Sequence, residues 1–203
     1  MVSDSIQPLS SLSPAGSPQK DEKVDDINDP ARLDYVKGRA QFSAGEYSEA
    51  ALSFHNALKG FEAQEDEAGI ANASDRLGDT CMAKEEYGMA LDHYKRAFVI
   101  CKKEEDSFST LALNKKMAAA YRKLGRLDEA LELLYDMLEH YQLTKNPKGV
   151  VEMLTVMAEL FIQLGRIQEA ADAYRTVSSV HAGFKHQRLA EEFTRKAEAL
   201  VQE

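Results

Sequence analysis

Residues 123–134 read KLGRLDEALELL, and the chain repeats this pattern forty residues later as QLGRIQEAADAY, residues 163–174. Forty residues before the first stretch it reads AKEEYGMALDHY, and forty before that SAGEYSEAALSF. The four copies share one register, with no insertion between them. An internal period of this length indicates a solenoid of stacked helical units.

Three columns of the register indicate how the units pack. One column is alanine in every copy, at Ala50, Ala90, Ala130 and Ala170. A second, four residues further on, is large and apolar, at Phe54, Tyr94, Leu134 and Tyr174. A third is always small, at Gly38, Gly78, Ala118 and Ala158. Since residues four apart share a helix face, we predict units of two antiparallel helices that approach at the small residues and bury their apolar faces against neighbouring units.

Glycine occupies the predicted turn between the two helices in three of the four units. It stands at Gly45, Gly125 and Gly165, and Glu85 replaces it in the second copy. Glycine suits the left-handed backbone conformation that ends many helices. We therefore predict first helices near residues 30–43, 67–83, 107–123 and 147–163, and second helices near residues 46–63, 86–104, 126–143 and 166–182.

The two ends of the chain differ from the array. Residues 1–28, MVSDSIQPLSSLSPAGSPQKDEKVDDIN, are rich in Ser, Pro and Asp, so we predict a disordered tail. Asp29-Pro30 marks a helix start. Near residues 186–202 we predict an amphipathic capping helix with the apolar stripe Leu189, Phe193, Ala197 and Leu200. The array is expected to span residues 29–203, with repeats at about 29–66, 67–106, 107–146 and 147–184 and the cap at 185–203.

The columns over about residues 30–182 resemble those of the tetratricopeptide repeat. The stretches RLGDTCMAKEEYGMALDHYKRAF and GRLDEALELLYDML fit the family pattern well. The chain departs from it at Glu85, at Met137 and Val177, where a small residue is usual, and in its lack of Trp. The resemblance implies an all-α fold, a right-handed α-solenoid of four helix-turn-helix repeats plus a capping helix. The forty-residue period resembles the elongated repeats of kinesin light chains and of peptide-sensing bacterial regulators.

Composition argues against several classes of partner. The formal net charge is −9 and the pI about 5.1, and an acidic surface repels phosphate backbones and anionic lipid heads. We therefore expect no nucleic acid and no membrane among the partners. No apolar run approaches the roughly 18 residues of a membrane span, and the N-terminus has no secretory-signal pattern. The expectation is a soluble, cytoplasmic protein.

Residues that could carry chemistry are sparse. The five histidines show no metal-ligand spacing, and no phosphate-binding loop, nucleophile elbow or paired-His motif occurs. Cys81 and Cys101 are predicted to differ in height by roughly 15 Å at about 1.5 Å per helical residue, too far for a disulfide. We predict two reduced thiols, no metal, no cofactor and no enzymatic activity.

The resemblance implies that the first helices line a concave groove that holds a partner peptide or helix. The matching positions mix exposed-type apolar residues with both signs of charge, which favours recognition over simple solvation. They are Tyr35, Arg39, Phe42, Asn72, Asp75, Asp79, Met82, Lys115, Arg122, Glu152, Thr155, Glu159 and Ile162. The charges run from basic near Lys115 and Arg122 to acidic near Glu152 and Glu159.

One known variant of the groove clamps the C-terminal tails of chaperones with Lys, Asn, Asn, Lys and Arg. The matching positions here are Tyr35, Arg39, Asp79, Lys115 and Ala119. Only Lys115 agrees, and Asp79 would repel a carboxylate. The resemblance therefore argues against a chaperone-tail adaptor.

Three functions stay open on the sequence. The first is a non-catalytic scaffold or adaptor that binds a partner peptide or helix in the groove. The second is a peptide-responsive sensor in which the ligand changes the pitch of the array. The third is a structural subunit of a larger assembly that uses its convex face or its ends. Binding of a short peptide favours the first two, whereas binding of a folded partner alone favours the third.

Overall fold

The computed structural model describes residues 29–202, and the predicted tail lies outside this range. The described chain is all helical, which confirms the all-α class for these residues. The helices are α1 (Pro30–Ser43), α2 (Tyr47–Ala63), α3 (Glu67–Ala83), α4 (Tyr87–Lys103), α5 (Ser107–Lys123), α6 (Leu127–Leu143), α7 (Pro147–Gln163), α8 (Ile167–Gly183) and α9 (Gln187–Val201). These bounds agree with the predicted helices to within one residue at each end.

The helices from α2 to α8 have 17 residues each, and three-residue turns separate consecutive helices. Each helix packs against the next one along the chain, and α1 also touches α3. Short turns between helices of equal length produce antiparallel neighbours. The result is a layered stack of helices, as predicted. The division into four repeats and a cap remains an interpretation of the sequence register.

Small residues mark the closest helix contacts, as the columns indicate. The four alanines Ala50, Ala90, Ala130 and Ala170 are each 0% exposed. Gly78 lies so close to Tyr94 that a Cβ at this position would overlap the tyrosine ring. Gly38 meets Phe54 in the same way. The small and large columns therefore face each other within a unit, and the space left by one is filled by the other.

The turns keep one backbone geometry whatever residue occupies them. The middle residue of every turn has positive φ, between 53° and 80°. These residues are Gly45, Glu65, Glu85, Glu105, Gly125, Lys145, Gly165 and Lys185. Glu85 therefore interrupts the glycine column without changing the turn, because it adopts the left-handed conformation itself (φ 61°). Turns between units use the same conformation with charged residues.

First and second helices differ in how they begin. Asp29, Asp66, Asp106 and Asn146 precede first helices, and each accepts a hydrogen bond from a backbone N–H in the first turn. The second helices have no side-chain cap of this kind. Such caps stabilise a helix by about 1 kcal/mol. The caps therefore fix where each unit begins.

The last helix packs on α8 mostly through the predicted stripe. Phe193 and Ala197 are buried and Leu200 is half-buried. Leu189 departs from the prediction, since it is 40% exposed. It is the third residue of α9, close to the end of the helix. The two cysteines are unpaired, as predicted: Cys81 is buried and Cys101 is half-buried.

Candidate functional site

The predicted groove residues lie on α1, α3, α5 and α7, and we call their combined surface the first-helix face. Arg39, Asn72, Lys115, Glu159 and Ile162 are exposed there. The others are half-buried: Tyr35, Phe42, Asp75, Asp79, Met82, Arg122, Glu152 and Thr155. The stripe is therefore partly accessible, and its depth varies from helix to helix.

The apolar members of the stripe face inward more than expected. Tyr35 packs its ring 5.7 Å from that of Phe54, centroid to centroid. Phe42 lies 5.4 Å from Tyr47 by the same measure, and Met82 packs against the buried core. Of the four apolar residues predicted to be exposed, Ile162 alone is exposed, at 38%. The prediction overlooked that large side chains at the groove positions can fold over the second helix.

Opposite charges on α5 and α7 pair across the face. Lys115 donates to the Glu152 carboxylate, and an Arg122 guanidinium nitrogen lies 3.3 Å from a Glu159 oxygen. Each cation is therefore matched by an acid on the neighbouring first helix, so the basic and acidic ends of the predicted gradient lie side by side. Sequence reasoning missed this, since the partners are 37 residues apart.

A second group of charges joins α3 to α5, and we call it the Lys116 cluster: Asp75, Arg76, Asp79, Tyr94 and Lys116. The Lys116 ammonium lies 2.6 Å from an Asp75 oxygen and 2.9 Å from an Asp79 oxygen. Asp79 also accepts from Arg76 at 3.1 Å and from the Tyr94 hydroxyl at 3.0 Å. These contacts hold two acids and two bases together between neighbouring units.

Burial shifts the acid–base behaviour of the Lys116 cluster. Desolvation raises the pKa of Asp75, and repulsion from the Asp79 carboxylate raises it further, against the attraction of Lys116. Burial raises the pKa of Tyr94 as well, and the nearby Asp79 charge adds to this. The phenol therefore stays protonated and remains the donor to Asp79. The cluster is a closed network of satisfied charges rather than a set of free ligands.

Sequence reasoning missed Phe108, which is 71% exposed at the start of α5. A depression of about 310 Å³ between α3 and α5 and another of about 460 Å³ between α5 and α7 both have Phe108 in their walls. Leu111 and Tyr141 line the second one. The signal was available, because Phe108 lies four residues before Ala112 and seven before Lys115, on the same helix face.

Two searches of the described residues concern other kinds of site. Within residues 29–202, no helix is long and apolar enough to cross a membrane. The same part of the chain has no cluster of three or more His, Cys, Asp or Glu side chains that could hold a metal ion.

Comparison with protein families and curated proteins gives two matches. Residues 108–182 match the family model described as the tetratricopeptide repeat. Over 108 residues the chain is 29% identical to the RxLR effector protein SFI4 of Phytophthora infestans. The match covers 51% of this chain and 32% of that protein, so the chain corresponds to about a third of its relative's length.

Solved structures share the architecture over most of the chain. One is a candidate kinesin light chain of Podosopora anserina with nearly identical TPR-like repeats, at a TM-score of 0.66 and 18% identity, covering 86% of this chain and 96% of that one. Another is the apo form of RapI, at a TM-score of 0.70 and 17% identity, covering 85% of this chain and 64% of that one. At these identities the likeness concerns the fold.

Proposed function

We propose that the chain, whose residues 108–182 match the tetratricopeptide-repeat family model, is a scaffold whose first-helix face binds a peptide or helix of a partner protein. The fold generally mediates protein–protein interaction and is typically non-catalytic. The scaffold needs no chemistry of its own, only a surface that fits one partner better than others.

Phe108 is the observation that carries this proposal. A phenylalanine that is 71% exposed costs solubility unless a partner covers it, and buried aromatic anchors dominate many interfaces. Phe108 lies between two depressions, each large enough for a side chain. We propose that an apolar side chain of the partner fills the depression lined by Leu111 and Tyr141, against the ring of Phe108.

The ion pairs give the face its polarity. Lys115 lines the same depression together with Glu152 and Lys148. A partner segment with charges of both signs beside its apolar residue can add hydrogen bonds to these groups without leaving a buried charge unpaired. Such charges contribute to orientation and specificity more than to affinity.

The test begins with a displayed library of linear peptides selected on the full chain. A selected peptide is then titrated against wild type and Phe108→Ala. We expect affinity to fall at least about tenfold, as for a central aromatic anchor. The free energy of unfolding should change by no more than about 0.5 kcal/mol, because the ring is exposed.

A charge swap separates recognition from stability. K115E/E152K keeps an ion pair between α5 and α7 but reverses its direction, so it should weaken the peptide while leaving the thermal melt unchanged. The matched control is R96E/E62R, which reverses a pair on the second helices α4 and α2 and should bind normally. If the selected peptides bind the Phe108→Ala and K115E/E152K variants as tightly as wild type, the proposed binding site on the first-helix face is wrong.

A second function, a peptide-responsive sensor, is favoured by the ion pairs between units. Lys115–Glu152 and Arg122–Glu159 join α5 to α7 on the proposed binding face. A ligand that competes for these charges would loosen the contact and change the pitch of the array. Small-angle scattering of the chain with saturating peptide tests this idea, which requires a change in the radius of gyration. An unchanged radius of gyration would contradict the sensor and favour a rigid scaffold.

A further inference from the structure

A second candidate surface lies along one edge of the stack, next to the Phe108 end of the first-helix face. Consecutive helices are antiparallel, so the turns after α2, α4, α6 and α8 share one edge and the remaining turns share the other. We call the former the inter-unit edge, formed by residues 64–66, 104–106, 144–146 and 184–186. The tips of these turns are exposed.

Four charged residues at equal spacing occupy the tips of the inter-unit edge. They are Glu65, Glu105, Lys145 and Lys185, all in the left-handed conformation, with φ between 53° and 61°. Three of the four turns on the opposite edge use glycine there. Glycine adopts this conformation at lower cost than other residues. The inter-unit edge therefore has charged residues at positions where glycine would adopt the backbone conformation at lower free-energy cost.

The sign of the charge changes halfway along the edge. Residues 62–68 contain four acidic residues and no basic one, and residues 102–108 contain three acids and two lysines. Of those two lysines, Lys103 pairs with Glu67 and Lys102 lies over the Phe98 ring. Residues 142–148 contain Lys145 and Lys148, with no acid. Residues 182–188 carry Lys185 and Arg188 beside His186, again with no acid.

This pattern is complementary to itself under a two-fold rotation. An axis midway along the edge would bring the first turn of one copy against the last turn of the other, and the second against the third. Every such pair joins an acidic tip to a basic one. We infer that the inter-unit edge binds a second copy of this chain, in an isologous dimer with two-fold symmetry.

Apolar side chains on the basic half of the edge add to this contact. Leu143, at the end of α6, is 77% exposed, the largest exposure of any large apolar residue among those described. Phe184, in the turn after α8, is 57% exposed. Charged groups steer and align such a contact, whereas buried apolar area supplies most of its free energy.

Charge reversal in two complementary variants tests the dimer. E65K/E105K makes all four tips basic, and K145E/K185E makes all four acidic. We would measure the mass of the full chain by sedimentation equilibrium at about 0.1 M salt, where contacts within about 10 Å still act. We expect wild type to dimerise, with the dissociation constant rising at least about tenfold in each variant alone.

An equimolar mixture of the two variants is the decisive sample. A basic edge and an acidic edge attract along their whole length, so a heterodimer should form, identified by its mass in native mass spectrometry. The matched control, K37E/K59E, changes the net charge as much as K145E/K185E does, at exposed positions on α1 and α2, and should dimerise as wild type does. Circular dichroism melts check that all variants fold.

Three results would overturn the inference. The first is a wild-type chain that stays monomeric at high concentration. The second is a pair of reversed variants that dimerise separately as well as wild type does. The third is a mixture of folded variants that stays monomeric. The oligomeric state is measured without any peptide, so each result is independent of peptide binding on the first-helix face.

Discussion

At the scale of single residues, the fold depends on a few close contacts that a methyl group would disturb. Gly78 faces Tyr94, whose ring is 2% exposed and whose hydroxyl donates to Asp79. The same column holds alanine in the third and fourth units, at Ala118 and Ala158. A Cβ at residue 78 would overlap the Tyr94 ring, so the close approach of this ring requires glycine there.

We predict that Gly78→Ala lowers the free energy of unfolding by about 1–3 kcal/mol, as overpacking does. The tyrosine ring must move, and its bond to Asp79 weakens. The control is Gly88→Ala in α4, where a Cβ meets nothing within 4 Å and stability should rise by up to about 1 kcal/mol. Urea denaturation of both variants measures the difference, and similar changes in the two would contradict the contact.

Asp75 makes stability depend on pH in a direction that can be worked out. Its pKa is raised in the folded state, so between the ordinary and the raised pKa the folded chain binds more protons than the unfolded one. The contribution of Asp75 to stability is therefore greatest below about pH 4 and falls as the pH rises through the raised value.

Comparison with Asp75→Asn isolates this effect. The stability of wild type minus that of Asp75→Asn, from urea denaturation at a series of pH values, should fall as the pH rises from about 4. At neutral pH the variant should differ from wild type by no more than about 1 kcal/mol, because losing the Lys116 pair is offset by relief of repulsion and desolvation. A difference that grows with pH would mean that the Lys116 attraction dominates.

At the scale of helices and turns, the sequence determined nearly everything that the backbone does. Apolar periodicity, Asp or Asn caps and the glycine turns located each helix to within a residue. What the sequence could not indicate was that a glutamate or lysine would adopt the same turn geometry as glycine. The packing of two helices of fixed length imposes the turn conformation, so it overrides the preference of glutamate and lysine for negative φ.

Exchanging the residues of two turns tests this imposed geometry. Glu85→Gly should raise the free energy of unfolding by about 1 kcal/mol, because glycine avoids the left-handed penalty at φ 61°. The reciprocal change Gly125→Glu, at φ 72°, should lower it by a similar amount. Both residues are exposed and lie on the edge opposite the proposed dimer contact. Thermal melts of the two variants should shift in opposite directions; shifts of the same sign would contradict the argument.

At the scale of the whole molecule, the sequence predicted the architecture better than the candidate site. The forty-residue register indicated a stacked array, and the resemblance to the tetratricopeptide repeat is confirmed. The sequence of a single repeat position does not give side-chain direction or pairing between units, because both depend on three-dimensional neighbours. Tyr35 packs inward on Phe54, and Lys115 pairs with Glu152. Neither contact can be recognised from the residue type at a single position of the sequence.

A stack in which each helix packs mainly on its chain neighbours should respond locally to damage at its end. Phe193 in α9 is 9% exposed and packs on Tyr174 and His181, with ring centroids 5.8 and 5.7 Å apart. Phe193→Ala should cost about 3 kcal/mol of local stability. Because stability in such arrays is a sum of units and nearest-neighbour contacts, hydrogen exchange should accelerate in α8 and α9 and stay unchanged in α1 and α2. Uniform acceleration along the chain would instead mean that the array unfolds as one cooperative unit.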